Sequence, residues 1–244
     1  MKSVWIIYLV ILVYYLLGTA GIYFINRKKD PDTRRKAWVK HVTYFILITL
    51  LYFSIAINVI LFRYVAIVII IAGFLELTNL YMKSGYRHFL FFGASLMILA
   101  LLSAAFLSFS GMGQGLILFA FLILCIFDGF SQVTGQLLGK RKLLPRISPN
   151  KTVEGLIGGA TVSILSALLF RDLIPADPHR SLIIASVVVL FAFGGDAAKS
   201  LYKRKYNVKD FSNLIPGHGG FLDRFDSLIA GGAGVALLGW IAGF

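Results

Sequence analysis

The sequence predicts an all-α, polytopic membrane protein of about eight transmembrane helices, with its polar residues gathered on the cytoplasmic side. Three observations predict this. The 244 residues are 58% hydrophobic and only 14% charged, against roughly 25% charged in soluble domains. Apolar runs recur along the whole chain, at about the 20 residues that cross a hydrocarbon core. Between them the basic residues collect in every second loop, as the positive-inside rule requires.

The first span is read over residues 4–25. Its apolar run exceeds the roughly 7–15 residues of a signal-peptide core, and a basic loop follows directly, so a retained helix is expected. The second and third, 42–62 and 64–81, are joined by little more than Arg63 and form a tight hairpin. The fourth and fifth follow at 89–109 and 112–130, the sixth at 153–174, the seventh at 181–200 and the eighth at 227–244. Within one integral-membrane domain, residues 1–110 supply amino-terminal membrane helices. Residues 111–244 supply the helices and loops that carry chemistry.

An even number of spans places twenty of the 24 lysines and arginines on one face. They run from Arg27 to Lys40, at Lys83 and Arg87, from Lys140 to Lys151, and from Lys199 to Arg224. The other face keeps Lys2, Arg63, Arg171 and Arg180. The crowded face is therefore cytoplasmic and both termini lie opposite. The segment 26–41 reads as a surface loop with a turn at Asp30-Pro31-Asp32. The net charge of +13 is explained by basic loops meeting anionic lipid, so the bilayer is the expected partner and nucleic acid is not. The single Cys125 excludes a disulfide framework and a cysteine metal cluster.

Ionisable groups at membrane depth face a bundle interior or a wet cavity. Glu76 and Asn79 share a helix face and are expected to hydrogen-bond between helices. Asp128 ends the fifth span and adjoins a polar loop, which favours function. Asp172, beside Arg171, is explained by an interfacial ion pair.

Two stretches on the cytoplasmic side carry chemistry. In the first, from Asp128 to Gly155, Ser148-Pro149-Asn150-Lys151-Thr152 leads into a helix at about Val153. Ser148, Asn150 or Thr152 suits its N-cap, its free amides suit an anion, and Lys151 adds a point charge for a phosphate. No Walker A string is present. The second runs from Asp196 to Asp226 and is the most polar stretch of its length. Asp196 and Ser200 share a face of one helix, and Asp223 and Asp226 share a face of the next. Magnesium binds through one or two carboxylates plus substrate phosphates, so Asp196 and Asp223 fit if helices seven and eight pack together. Pro216-Gly217-His218-Gly219-Gly220 lets backbone approach closely. Lys203, Arg204, Lys209 and Arg224 can neutralise phosphate. A solvated re-entrant loop with internal salt bridges explains the charges, but not three glycines around a histidine beside Asp-x-x-Asp.

These residues carry a resemblance. Ser200, Lys203-Arg204, Lys209-Asp210, Pro216 to Gly220 and Asp223-Arg224-Phe225-Asp226 look like the long signature of the phosphatidate cytidylyltransferase (CDP-diacylglycerol synthase) family. Ser148 to Thr152 with Glu154-Gly155 is similar to a second landmark, and Asp128 with Gly135 and Gly139-Lys140 to a third. The match covers about the carboxyl-terminal half. It implies condensation of CTP with phosphatidic acid to CDP-diacylglycerol and pyrophosphate at the inner face of the cell membrane, with Mg²⁺ and a nearby K⁺. By this resemblance Asp196, Asp223 and Asp226 hold metal, and Asp196, Asp223, Asp226, Lys203 and Arg204 are catalytic. Asp128, Ser148, Asn150, Lys151, Thr152, Ser200, Lys209, Asp210, His218, Gly219, Gly220 and Arg224 bind substrate. Members are often dimers, which implies a homodimer.

Three features depart from the family. Lys199 stands where an acidic residue is usual, Gln136 stands where a basic one is common, and the chain is short. The alternatives are a CTP-dependent cytidylyltransferase or kinase for another lipid phosphate or isoprenoid, an ion or phosphate transporter, and a relative that binds lipid without turnover. A transporter needs polar residues through the full membrane depth, whereas here they crowd at one side.

Overall fold

The computed structural model describes residues 2–174, 177–215 and 219–243. Eight α-helices are described: α1 (Lys2–Asn26), α2 (Pro31–Ile57), α3 (Val59–Lys83), α4 (Phe89–Phe109), α5 (Gln114–Leu138), α6 (Val153–Ser166), α7 (Pro178–Lys205) and α8 (Leu222–Ala242). A small antiparallel hairpin, β1 (Lys142–Leu144) and β2 (Ser148–Thr152), precedes α6. Among the described residues seven helices are long and apolar enough to cross a membrane, α6 being the short one.

The ends of these helices correct several sequence-based boundaries. The turn between α2 and α3 falls at Asn58, not Arg63. Asn58 is extended, and its side-chain oxygen accepts from Ile60 N at 2.8 Å, capping α3. The Gln114 amide donates to the carbonyls of Ile55 and Ala56, both at 2.8 Å, and satisfies the open end of α2. A short capping side chain decides the turn, and Arg63 lies inside α3. At the other end of α2, Asp30 accepts from Thr33 N at 2.8 Å with Pro31 at the first helical position. The turn at Asp30 stands, but Arg34, Arg35, Lys36 and Lys40 extend the helix rather than forming a loop.

The sixth segment is not one long helix: α6 ends at Ser166. Ser163 and Ser166 turn their hydroxyls back onto the carbonyls of Gly159 and Val162, a bond that bends helices. The chain continues in tight turns to a 3₁₀ turn at Arg171–Leu173. There a side chain on Gly115, at the start of α5, would strike the Leu173 carbonyl. At the other end Gly155 lies against Gly135 and Ser131. Residues 153–174 therefore return along α5 for most of its length.

Small residues make this return close. A side chain on Gly158 would meet Thr134, and one on Gly159 would meet Ser131 and the Phe127 carbonyl. Glycine and serine at facing positions let membrane helices approach. Gly159→Val should cost about 1–3 kcal/mol through overpacking, seen as a lower melting temperature in detergent. An unchanged melting temperature would mean that α5 and α6 do not meet there.

The central helix is α8. Leu222 to Ala236 are almost all buried, with only Arg224 more open. It packs on α4 and α7, with α5 and α3 alongside. Its Gly232 lies against Phe106 and Phe109 of α4, and its Gly234 against Phe191 of α7. A helix apolar on all sides belongs in a bundle interior. Peripheral α1 packs on α2 through Tyr8 stacked on Tyr52 and Tyr15 stacked on Phe45.

Side-chain bonds tie the polar loops together at one end. The Tyr206 hydroxyl donates to the Arg87 carbonyl at 3.2 Å, and Arg204 Nε to the Ile147 carbonyl at 3.0 Å. Lys151 pairs with Asp196. Arg63, by contrast, lies beside Gly111 at the turn between α4 and α5, the opposite end of α3.

Candidate active site

Asp223 occupies the first turn of α8 and is buried. Its Oδ2 accepts from Phe211 N at 2.8 Å and Gly220 N at 3.0 Å, and its Oδ1 pairs with Lys203 of α7 at 2.5 Å. The carboxylate thus ties Phe211 and Gly220 back onto its own helix start. Gly219 has a φ of +82° and lies against Asp223 and Asp210, so glycine is required there by both backbone and space.

Asp226 lies one turn on and is also buried. Its Oδ1 accepts from Lys199 Nζ at 3.0 Å, while its Oδ2 has no hydrogen-bond partner. Lys199 Nζ also reaches Asp196 Oδ1 at 2.7 Å and the Asp223 carbonyl at 3.1 Å. Asp196 Oδ2 takes Lys151. One ammonium therefore touches all three aspartate residues, which places them at the same end of α7 and α8. This approach depends on Gly195, where a side chain would meet Ala230 and the Asp226 carbonyl. Burial, and then the charge of Lys199, hold the Lys151 ammonium down to a pKa of about 8, against the pull of Asp226 and Asp128.

Asp128 is accessible on α5, and its charge interacts with Asp226, Lys199, Lys151 and Arg224. The charge of Arg224 also acts on Asp226, Asp128 and Asp223, and its Nε is buried without a hydrogen-bond partner.

The remaining expected residues divide. Thr152 is the N-cap of α6, accepting from Gly155 N at 3.1 Å. Ser148 and Asn150 lie on β2 rather than in a loop, with Asn150 exposed. Glu154 accepts from the backbone of Lys140 and Arg141 and anchors the hairpin. Ser200 is buried in α7, and Lys209 is exposed. Arg204 is exposed and spends its Nε on the hairpin turn rather than on the carboxylates. His218, with Pro216 and Gly217, lies outside the described residues.

Glu76 does hydrogen-bond between helices, as expected, and in doing so takes a role that the sequence did not show. Buried in α3, it accepts from Ser212 Oγ at 2.6 Å, Phe221 N at 2.9 Å and Leu222 N at 2.8 Å. It therefore caps α8 from another helix, where no residue of α8 does so. Gly220 lies against its carboxylate, so no side chain fits there. Glu76 positions Asp223, three residues beyond.

An apolar cavity between α4, α7 and α8, lined by Leu99, Leu102 and Ile229, has Lys199 and Asp226 in its wall. Such an arrangement can hold an oxygen-seeking cation and phosphates beside an apolar chain. Among the described residues no group of three or more His, Cys, Asp or Glu side chains is arranged around one point, because lysines stand between the carboxylates.

The family model described as the cytidylyltransferase family matches residues 1–242. A phosphatidate cytidylyltransferase of Staphylococcus epidermidis is 45% identical over 119 residues, 48% of this chain and 46% of that protein. Similarly named proteins of Staphylococcus saprophyticus and Staphylococcus aureus are 43% and 41% identical over the same number of residues and the same shares. The chain thus spans about half the length of the curated relatives it matches.

Proposed function

The chain belongs to the cytidylyltransferase family, and on that premise we propose that it transfers the cytidylyl group of CTP to phosphatidic acid. The products are CDP-diacylglycerol and pyrophosphate. The observation that carries this reading is the meeting of Asp196, Asp223 and Asp226 on Lys199, with Lys151 and Lys203 paired to the same carboxylates.

Magnesium fits this set. The acceptors are oxygens, which suit a hard cation, and the buried Asp226 Oδ2 has no partner. Asp196, Asp223 and Asp226 would hold the ion, which when bound neutralises the triphosphate. Lys151 and Lys203 are carried into the site on those carboxylates and receive the nucleotide phosphates. Arg224, with an unspent Nε, and accessible Asp128 flank them. The lipid phosphate oxygen attacks the α-phosphorus of CTP, and the bond to pyrophosphate breaks. Two anions must meet, so positioning and charge neutralisation do most of the catalysis. No protein nucleophile is needed. The apolar cavity beside Lys199 takes part of an acyl chain. The basic end faces the cytoplasm, where CTP is.

The test is product analysis of purified protein with labelled CTP, Mg²⁺ and a panel of lipid phosphates. Lipid-linked CMP should form with phosphatidic acid. Label transferred as phosphate to an isoprenol, or no transfer to any lipid phosphate, would remove the assignment.

A further inference from the structure

We propose that Lys199 is a resident cation, a tethered ammonium filling the oxygen cage between α7 and α8 that would otherwise bind a soluble ion. An ammonium has three N–H donors. Lys199 meets three acceptors from two helices: Asp196 Oδ1 at 2.7 Å, Asp226 Oδ1 at 3.0 Å and the Asp223 carbonyl at 3.1 Å. Its side chain is only 10% exposed. An ion-pair partner on the surface would face water and make one contact. This one is enclosed, its donors are matched, and it joins two carboxylates and a backbone oxygen that would repel one another without it. Buried charges are costly unless paired in this way.

The second observation is Asp226 Oδ2, buried and unpartnered on the far side of the same carboxylate. Asp226 thus turns one oxygen to the resident ammonium and leaves the other for an incoming cation. The cage itself is full, and leaves no place there for the potassium that the family resemblance implies. Lys199 is a positioning residue: it holds Asp226 and Asp196 at fixed separation and reduces their joint charge, so the nucleotide-free protein needs no ion to keep α7 and α8 together.

Nucleotide-free protein in detergent, titrated with Mn²⁺ and read by electron paramagnetic resonance, tests this directly. Lys199→Met should bind one more Mn²⁺ per chain than the unaltered protein, and adding Asp226→Asn should remove the gain. The new site should be about tenfold or more tighter than residual binding, as expected for a cage with two carboxylates. Equal numbers and affinities in the parent and Lys199→Met would overturn the proposal. Independently, replacing EDTA with millimolar Mg²⁺ should raise the melting temperature of Lys199→Met by several degrees more than that of the parent, since the variant gains a site that the parent has filled. Equal rises in the two proteins would also overturn it. Neither measurement uses CTP or lipid, so the transferase reading stands or falls separately.

Discussion

Asp223→Asn is expected to lower turnover by about a thousandfold, the scale on which loss of one preorganised electrostatic group is felt. The substitution keeps size and removes charge. It deprives Lys203 of its partner, and it turns an amide donor towards either Lys203 or the backbone N–H groups of Phe211 and Gly220, which the carboxylate now accepts. Three functions fail together: the proposed cation binding, the placement of Lys203 and the anchoring of Phe211 and Gly220. Circular dichroism should show the helices intact while labelled CTP is no longer consumed. Activity within tenfold of the parent would mean that the carboxylate is structural only.

Glu76→Ala is expected to have the largest effect on stability. Glu76 accepts from the Phe221 and Leu222 backbone N–H groups and from Ser212. Removing it strands one buried and one half-buried donor at the start of the central helix. Each such group costs about 1–3 kcal/mol, so a loss of about 2–4 kcal/mol is expected by thermal melting in detergent. Glu76→Gln keeps one acceptor oxygen and should lose about half as much. Because α8 begins at these residues, Asp223 should be misplaced and activity should fall further than stability alone requires. A melting temperature unchanged in Glu76→Ala would show that α8 is capped by something else.

The spans were legible because length and hydropathy decide them, and α1, α4 and α5 begin or end close to where apolar composition suggests. Arg63 misled because a charge resembles a loop, whereas the turn is set by the cap at Asn58. Residues 34–40 misled in the opposite direction, since a helix continues past its apolar stretch wherever propensity allows. The sixth segment was legible as an apolar run but not as a short helix with a 3₁₀ tail, because serine back-bonding is decided by rotamers. The hairpin at 142–152 was not legible, its strands being short, with Pro149 inside the second and Pro145 in the turn.

The candidate site divides in the same way. The i, i+3 spacing of Asp223 and Asp226 announced a shared face, and Gly195 with Ala230 let α7 and α8 bring Asp196 to them. Lys199 reads in the sequence as an oddity of local charge; its three-way contact exists only once two helices pack. Glu76 was recognisable as a buried carboxylate, but its partners are as many as 146 residues away. No local pattern carries that information.

The central claim is that aspartates of α7 and α8 share one cation with the triphosphate. Electron-nuclear double resonance of Mn²⁺ bound with CTP to the protein measures this most directly. Phosphorus coupling to protein-bound Mn²⁺ is expected in the parent and lost in Asp196→Asn and Asp223→Asn. The same coupling and affinity in all three proteins would contradict the account.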